Sequence, residues 1–326
     1  MTVTAPAAAS LQLSTEDDVD AIPLRHPWRW VGAVAVILVL AFFLYSVGTN
    51  PNLDFATVGT FVFDPRILAG VGLTVLITLI SMVVSTLLAV LVAAMRLSKN
   101  PVLSGVAWFY VWVFRGTPQI VQIVLWGYLG LLYEKLTLGV PFTDVVFWQV
   151  NTNDLINAFV AGTLALTLNQ AAYSSEIVRA GMLSVDEGQR EAAYSLGMSP
   201  VYTFRRVLLP QAMRVIIPPM GNETISMLKN TSLLMVIAVP EVYTAATMIS
   251  AQNLKQVELL IVASIWYLIM TTVLSVPQYY LERRFGRGST RTLPPTPFQR
   301  FRAMLDRRKP GPAPAPATQM TEVIGA

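Results

Sequence analysis

The chain has 326 residues, 54% of them hydrophobic and 13% charged, with a formal net charge of +4. A soluble domain carries roughly a quarter charged residues, so this composition belongs in a bilayer. There is no cysteine, and the single histidine, His26, precedes the first long apolar run; disulfides, thiol nucleophiles, cysteine-ligated metals and imidazole catalysis within the membrane are excluded.

Residues 1–27 hold four acids, lack periodicity and read as a disordered N-terminal segment. Runs of about 20 apolar residues cross the hydrocarbon core as helices, and six are predicted, over 28–48, 67–95, 118–133, 155–179, 215–240 and 257–281. The first has no small-residue cleavage site at its end, so it is expected to be an uncleaved span. Ahead of the third, residues 101–117 read as an interfacial lead-in, with Trp108, Tyr110 and Trp112 at headgroup level. Residues 286–326 turn from basic to Pro/Ala-rich and read as a disordered tail.

Six spans put both termini on one side. Arg25, Arg29, Arg96, Lys99, Arg115, the basic residues from Arg179 to Arg214 and the nine from Arg283 to Lys309 then share that side, against Arg66, Lys135 and Lys255 opposite. The positive-inside bias predicts cytoplasmic termini. Because these charges flank apolar runs instead of clustering on a folded surface, a nucleic-acid role is not expected.

Between the fourth and fifth spans lies a polar hairpin, residues 184–210. Ser184 and Glu187 have the spacing of a capping box. Gly197 stands where a helix ends in a left-handed residue. Ser199 and Pro200 read as an N-cap with proline at the first helical position, and Pro210 is expected to close or kink the helix that follows. Two short helices with an elbow at Gly197 are predicted, on the cytoplasmic side.

Polar groups inside spans require partners, because lipid offers none. Asn169, Tyr173 and Glu176 recur at i, i+4 and i+7, with Gln170 and Ser174 alongside; Asn222, Ser226 and Lys229 repeat that spacing, widened by Glu223 and Asn230. These stripes are expected either to line a polar pathway or to join helices by hydrogen bonds. Lys229 lies about 20 Å into its span, with Glu176 or Glu223 as expected partners, and Glu176 is also within reach of Arg179. Pro218 and Pro219 are expected to open the fifth span, with Gly221 loosening the turn.

The stretch Glu191-Ala192-Ala193, Gly197 and Leu209-Pro210 resembles the cytoplasmic EAA signature of permease subunits of ATP-binding-cassette importers, with Val207 where isoleucine is usual. RGTPQIVQ at 115–122, AAYSSEIVRAG at 171–181 and PPMGNETISMLKNTSLL at 218–234 look like the polar amino-acid branch. The resemblance covers about 67–281. It implies an all-α integral membrane protein of the type I importer permease (MetI-like) fold, with five core transmembrane helices plus an extra N-terminal one at 28–48, in the cytoplasmic membrane. It further implies a second permease, itself or a paralogue; ATPase subunits that receive the hairpin through Glu191, Ala192, Ala193, Gly197 and Pro210; and an extracytoplasmic solute-binding protein that delivers an amino acid such as glutamate or glutamine. No cofactor is expected on this chain: it lacks a G-x-x-x-x-G-K-[ST] phosphate loop, so ATP and Mg belong to the partner.

An intramembrane protease is excluded. No histidine lies in a span, and Asp54, Asp64, Asp144, Asp154 and Asp186 all fall outside spans or at their edges. A stand-alone channel or secondary transporter would leave the docking hairpin without a purpose. A permease for an opine or a compatible solute remains the alternative within the same architecture.

Overall fold

The computed structural model describes residues 27–140 and 145–285. The two predicted extensions, His26, Arg25 and Asp144 lie outside them. The chain divides into two units, residues 1–54 and 55–326. In the first, α1 (Pro27–Gly48) is apolar all round, and Thr49 closes it by donating its backbone N–H and its hydroxyl to the Tyr45 carbonyl at 2.9 and 2.8 Å.

The second unit opens with α2 (Phe55–Phe61) and α3 (Pro65–Arg96). Asp64 caps α3, accepting from the Arg66 N–H at 2.8 Å, and proline at the first position suits a helix start. There follow α4 (Pro101–Gly116), α5 (Gln119–Gly127) and α6 (Leu129–Leu132). A hairpin of β1 (Lys135–Gly139) and β2 (Val146–Asn151) pairs antiparallel, Lys135 opposite Asn151, with an irregularity at Leu138/Gly139. Then come α7 (Thr152–Leu155) and α8 (Ala158–Leu183). α8 packs along α3, and both helices bury small residues, Ser81, Ser85, Ala89 and Ala93 in one and Ala161, Ala165 and Ala172 in the other, as suits helices that approach closely where lipid supplies no hydrophobic drive.

The remaining elements are α9 (Glu187–Ser195), α10 (Pro200–Thr203), a π-helical turn (Phe204–Leu208), α11 (Leu209–Asn230), a 3₁₀ segment (Thr231–Ile237), α12 (Val242–Asn253) and α13 (Gln256–Phe285). One buried cluster joins α2, α3, α12 and α13 around Ile67, Val242, Leu259 and Val262. A second joins α3, α5, α8 and the 3₁₀ segment around Ile77, Ile123, Leu166 and Leu234.

Among the described residues, three helices are long and apolar enough to cross a membrane unaided: α1, α3 and α13. A fourth span arises if the Pro200–Ile237 run and α12, bent by 43°, count as one. α8 has 26 residues, ample length, but its polar stripe lowers its apolar content.

Several expectations are corrected. Over 118–133 the chain forms no single long helix: α5 and α6 are separated by a turn at Tyr128. Residues 101–116 form a packed helix: Ala107 and Val111 are buried, and Tyr110 donates to the Leu168 carbonyl at 2.6 Å. The cap of α9 is Asp186, accepting from the Gly188 N–H at 2.7 Å; Ser184 instead ends α8, donating to the Gly181 carbonyl at 2.8 Å. Pro210 closes nothing. The second helix of the hairpin is not short, since helical structure runs unbroken from Pro200 to Asn230. The wider π turn just before Pro210 accommodates its missing N–H and its ring. Pro218 and Pro219 likewise sit inside α11 instead of opening a span. Gly221 is a packing residue, not a loosened turn: a Cβ there would come within 1.6 Å of Gln278 Oε1 on α13, and the Gln278 amide donates to the Pro218 carbonyl at 2.8 Å.

The 3₁₀ segment ends at Ala238 in the left-handed region, φ 58°. Beyond it the fully buried Glu241 caps α12. Its Oε1 accepts from the Thr244 N–H at 2.8 Å and the Thr244 hydroxyl at 3.0 Å. Its Oε2 accepts from Tyr267 at 2.5 Å and Thr74 at 3.4 Å. One carboxylate thereby ties α12 to α3 and α13.

Candidate functional site

The polar stripe of α8 faces the break between α4 and α5, where Thr117 is extended and Pro118 cannot donate. Asn169 holds this break, donating to the Phe114 carbonyl and to Gln122 Oε1, both at 3.0 Å. Gln122 in turn donates to the Thr117 hydroxyl at 2.7 Å. The result is a cavity of about 460 Å³ walled by Arg115–Gln119, by Asn169, Gln170 and Tyr173 of α8, and by Glu223 and Asn230 of α11. Gln170 spans it, donating to Glu223 Oε2 at 2.9 Å and to Ser174 at 3.1 Å. The Arg115 guanidinium lies 5.2 Å from the centre of the Tyr173 ring, in cation–π range.

The α8 stripe therefore meets only half of the α11 stripe. Asn222 turns toward α13, donating to Glu282 at 3.1 Å. Ser226 and Lys229 do not line the cavity; Lys229 is exposed and makes no ion pair among the described residues. Neither expected partner is available to it, since Glu223 accepts from Gln170 and Glu176 is held by Arg179 at 2.8 Å and faces Arg96 at 3.6 Å. Asn222, Ser226 and Lys229 share one helical face; Glu223 and Asn230, seven apart, share the next one. Arg115, Thr117, Pro118 and Gln119 were not assigned to the pathway from sequence. The signal for them was an arginine and a proline interrupting an otherwise apolar stretch.

A second cavity of about 330 Å³ adjoins the first, lined by Arg96, Trp108, Val111, Trp112, Arg115, Gly116 and Glu176. Trp108 and Trp112 stack at 6.1 Å.

The hairpin presents a different chemistry. At Gly197, φ is +74°. The Met198 N–H reaches the Ala193 carbonyl at 3.1 Å and the Gly197 N–H reaches that of Tyr194 at 2.9 Å, the paired bonds of a Schellman ending. Glu191 and Ala192 are exposed, whereas Ala193 is buried at 4%. Ala193 therefore lets α9 sit close to the helix that returns, and Ala192 faces outward. Pro210 is exposed. Around the elbow, Tyr194, Leu196, Val201 and Tyr202 are exposed, Leu196 at 82%. The elbow thus presents apolar and aromatic side chains at its surface. No group of three or more histidines and carboxylates among the described residues is placed to hold a metal.

Residues 85–287 match the family described as binding-protein-dependent transport system inner membrane component. The arginine transport system permease protein ArgU of Corynebacterium glutamicum is 47% identical over 279 residues, 84% of this chain and 85% of that protein. The L-cystine transport system permease protein TcyB of Bacillus subtilis is 36% identical, covering 72% and 97%. The nopaline transport system permease protein NocM of Agrobacterium fabrum is 38% identical, covering 65% and 84%. Among solved structures, an amino acid ABC transporter crystallised with histidines matches with a TM-score of 0.60 and 32% identity over 71% of this chain and 99% of that one. The inward-facing MetNI methionine transporter matches with a TM-score of 0.50 at 17% identity, covering 69% and 97%, a likeness of fold.

Proposed function

The chain belongs to the inner membrane component family of binding-protein-dependent transport systems, and from that premise we propose how its residues divide the work of import. It is a non-catalytic permease subunit of an ATP-binding-cassette importer of amino acids, with the MetI-like helical fold. Its pathway begins at the 460 Å³ cavity, where Asn169, Gln170, Tyr173 and Glu223 meet the Arg115–Gln119 break. Amide, phenol, carboxylate and guanidinium together offer both hydrogen-bond senses and both charges to a zwitterion. Glu176 belongs further along the same route. Asn222, Ser226 and Lys229 lie on the α11 face turned from this cavity, which suits helix packing or contact with a second permease.

Coupling runs through the hairpin. Glu191 and Ala192 face an ATPase subunit, Ala193 and Gly197 set the hairpin's shape, and Pro210 lies on the helix that carries movement inward. The observation that carries this reading is the unbroken helical run from Pro200 to Asn230, which puts the hairpin and the cavity residues Glu223 and Asn230 on one element. ATP and Mg would be held by that ATPase, a binding protein would deliver the cargo from outside, and the hairpin and both termini would face the cytoplasm. The permease domain corresponds to residues 67–281, with 28–48 as an added span.

The cargo is a polar amino acid. A second reading, an opine permease, is favoured by the 38% identity to the nopaline permease. Reconstituting the chain with its ATPase and binding protein in liposomes tests both: Glu191→Lys and Gly197→Asp should retain membrane insertion while lowering transport-linked ATP hydrolysis. Normal uptake by both variants would contradict the coupling role. Uptake of a labelled opine in preference to every labelled amino acid would select the second reading.

A further inference from the structure

The smaller cavity is walled by an ion pair whose hydrogen bonding is incomplete. Arg179 saturates Glu176 Oε2 with hydrogen bonds of 3.0 and 2.8 Å. The other oxygen, Oε1, is buried and accepts none, and Arg96 Nε is buried and donates none. These two atoms are ion-paired at 3.6 Å, too long for a hydrogen bond. Buried polar atoms without partners are costly, and here a donor and an acceptor share one cavity. Arg115 adds a further positive charge to the same wall, so the guanidinium groups outnumber the carboxylate.

The complementary ligand carries a carboxylate and an ammonium on neighbouring atoms. We propose that this cavity is a second, transit site for the zwitterionic head of an α-amino acid, reached after the polar cavity. The carboxylate lies toward Arg96 Nε and Arg115, the ammonium toward Glu176 Oε1, and the side chain against Trp108 and Trp112. Arg115 and Gly116 line both cavities, so Arg115 is a wall that the two share. The order follows from position: Arg96 ends α3, and Glu176 lies two turns beyond Asn169 along α8, toward the coupling hairpin. The inference rests on the pathway reading above.

The test uses the assembled permease, ATPase and binding protein in nanodiscs, without ATP, and a tritiated mixture of the common L-amino acids as the probe. Wild type should hold a second amino acid per permease chain. Glu176→Gln, which keeps a partner for Arg179, should weaken that second site by about tenfold or more, as loss of a charge-assisted hydrogen bond would, and leave the first unchanged. Glu223→Gln should weaken the first instead. Equal occupancy in wild type and Glu176→Gln would overturn the transit site, its polar atoms then being served by water. No bound amino acid in wild type or either variant would overturn the pathway reading with it. If Glu176→Gln fails to assemble, wild type still decides: α-N-acetylated amino acids, lacking the ammonium, should displace nothing from the second site. Displacement equal to that by the parent amino acids would overturn the proposal.

Discussion

Gln170 and Glu223 meet across 2.9 Å, a side-chain bond that joins α8 to α11 over the polar cavity. Gln170→Leu would strand the Glu223 carboxylate beside an apolar group. Losing a hydrogen bond to a charged acceptor costs about 1.5–3 kcal/mol, so half-saturation for uptake should rise about tenfold or more. Initial rates of labelled amino-acid uptake in a deletion strain complemented with each variant would measure it. A Gln170→Leu variant with wild-type kinetics would remove this pair from the pathway.

The neighbouring alanines of the hairpin should separate by mutation. Ala193 is buried against the returning helix, while Ala192 is exposed. Ala193→Leu overpacks the hairpin, at about 1–3 kcal/mol, and should lower the amount of protein in the membrane. Ala192→Leu should leave that amount unchanged and reduce co-purification of the ATPase. Identical behaviour of the two on a quantitative blot would count against this division.

Gly197 holds φ +74°, where a side chain is disfavoured by about 1 kcal/mol. Gly197→Ala should therefore be mild and Gly197→Asp more disruptive, with binding-protein-stimulated ATP hydrolysis falling in that order. The reverse order would show that backbone conformation is not what this position supplies.

Tyr267 gives Glu241 one of its four hydrogen bonds. Tyr267→Phe should destabilise the detergent-solubilised protein by about 1–3 kcal/mol, read as a lower midpoint in a thermal-aggregation assay. Glu241→Ala, which orphans Tyr267 and Thr74 together, should lower it further. A Tyr267→Phe midpoint equal to wild type would mean another group satisfies Glu241.

At the cap of α3, the hydrogen bond from Arg66 holds the Asp64 carboxyl below the usual carboxylate range. The folded value is thus lower than the unfolded one, about 3.9. The stabilising contribution is present above that value and is lost as pH falls through the folded value. The stability difference between wild type and Asp64→Asn should be constant from pH 5 to 8 and shrink toward pH 3. A difference that does not vary with pH would assign the whole effect to the neutral cap.

The helices over 28–48, 67–95 and 257–281, the Gly197 elbow and the Ser199–Pro200 start were legible in the sequence, because apolar length, φ preference and the missing proline N–H act locally. What escaped depends on partners distant in the chain. Pro210 reads as closing or kinking its helix, and Pro218 and Pro219 as opening a span, yet helical structure runs through all three, with a π turn just before Pro210. Lys229 reads as a buried charge seeking an acid, but it is exposed and the two acids expected to pair with it have other partners. Two polar stripes were visible from period alone; which half of the second faces the first is a matter of helix rotation, and periodicity cannot fix it. Glu241 gave no warning, since one acid after a proline resembles an ordinary loop until Thr74 and Tyr267 close around it.

The helix from Pro200 to Asn230 extends about 45 Å at 1.5 Å per residue. Pivoting such a shaft near its middle by about 5° would displace each tip by about 2 Å in opposite directions, comparable to the adjustments by which packed interfaces switch. If the elbow docks as proposed, a nudge of that size would then suffice to part α11 from α8 at the polar cavity. The two prolines near the middle, each unable to donate, give that shaft a natural fulcrum.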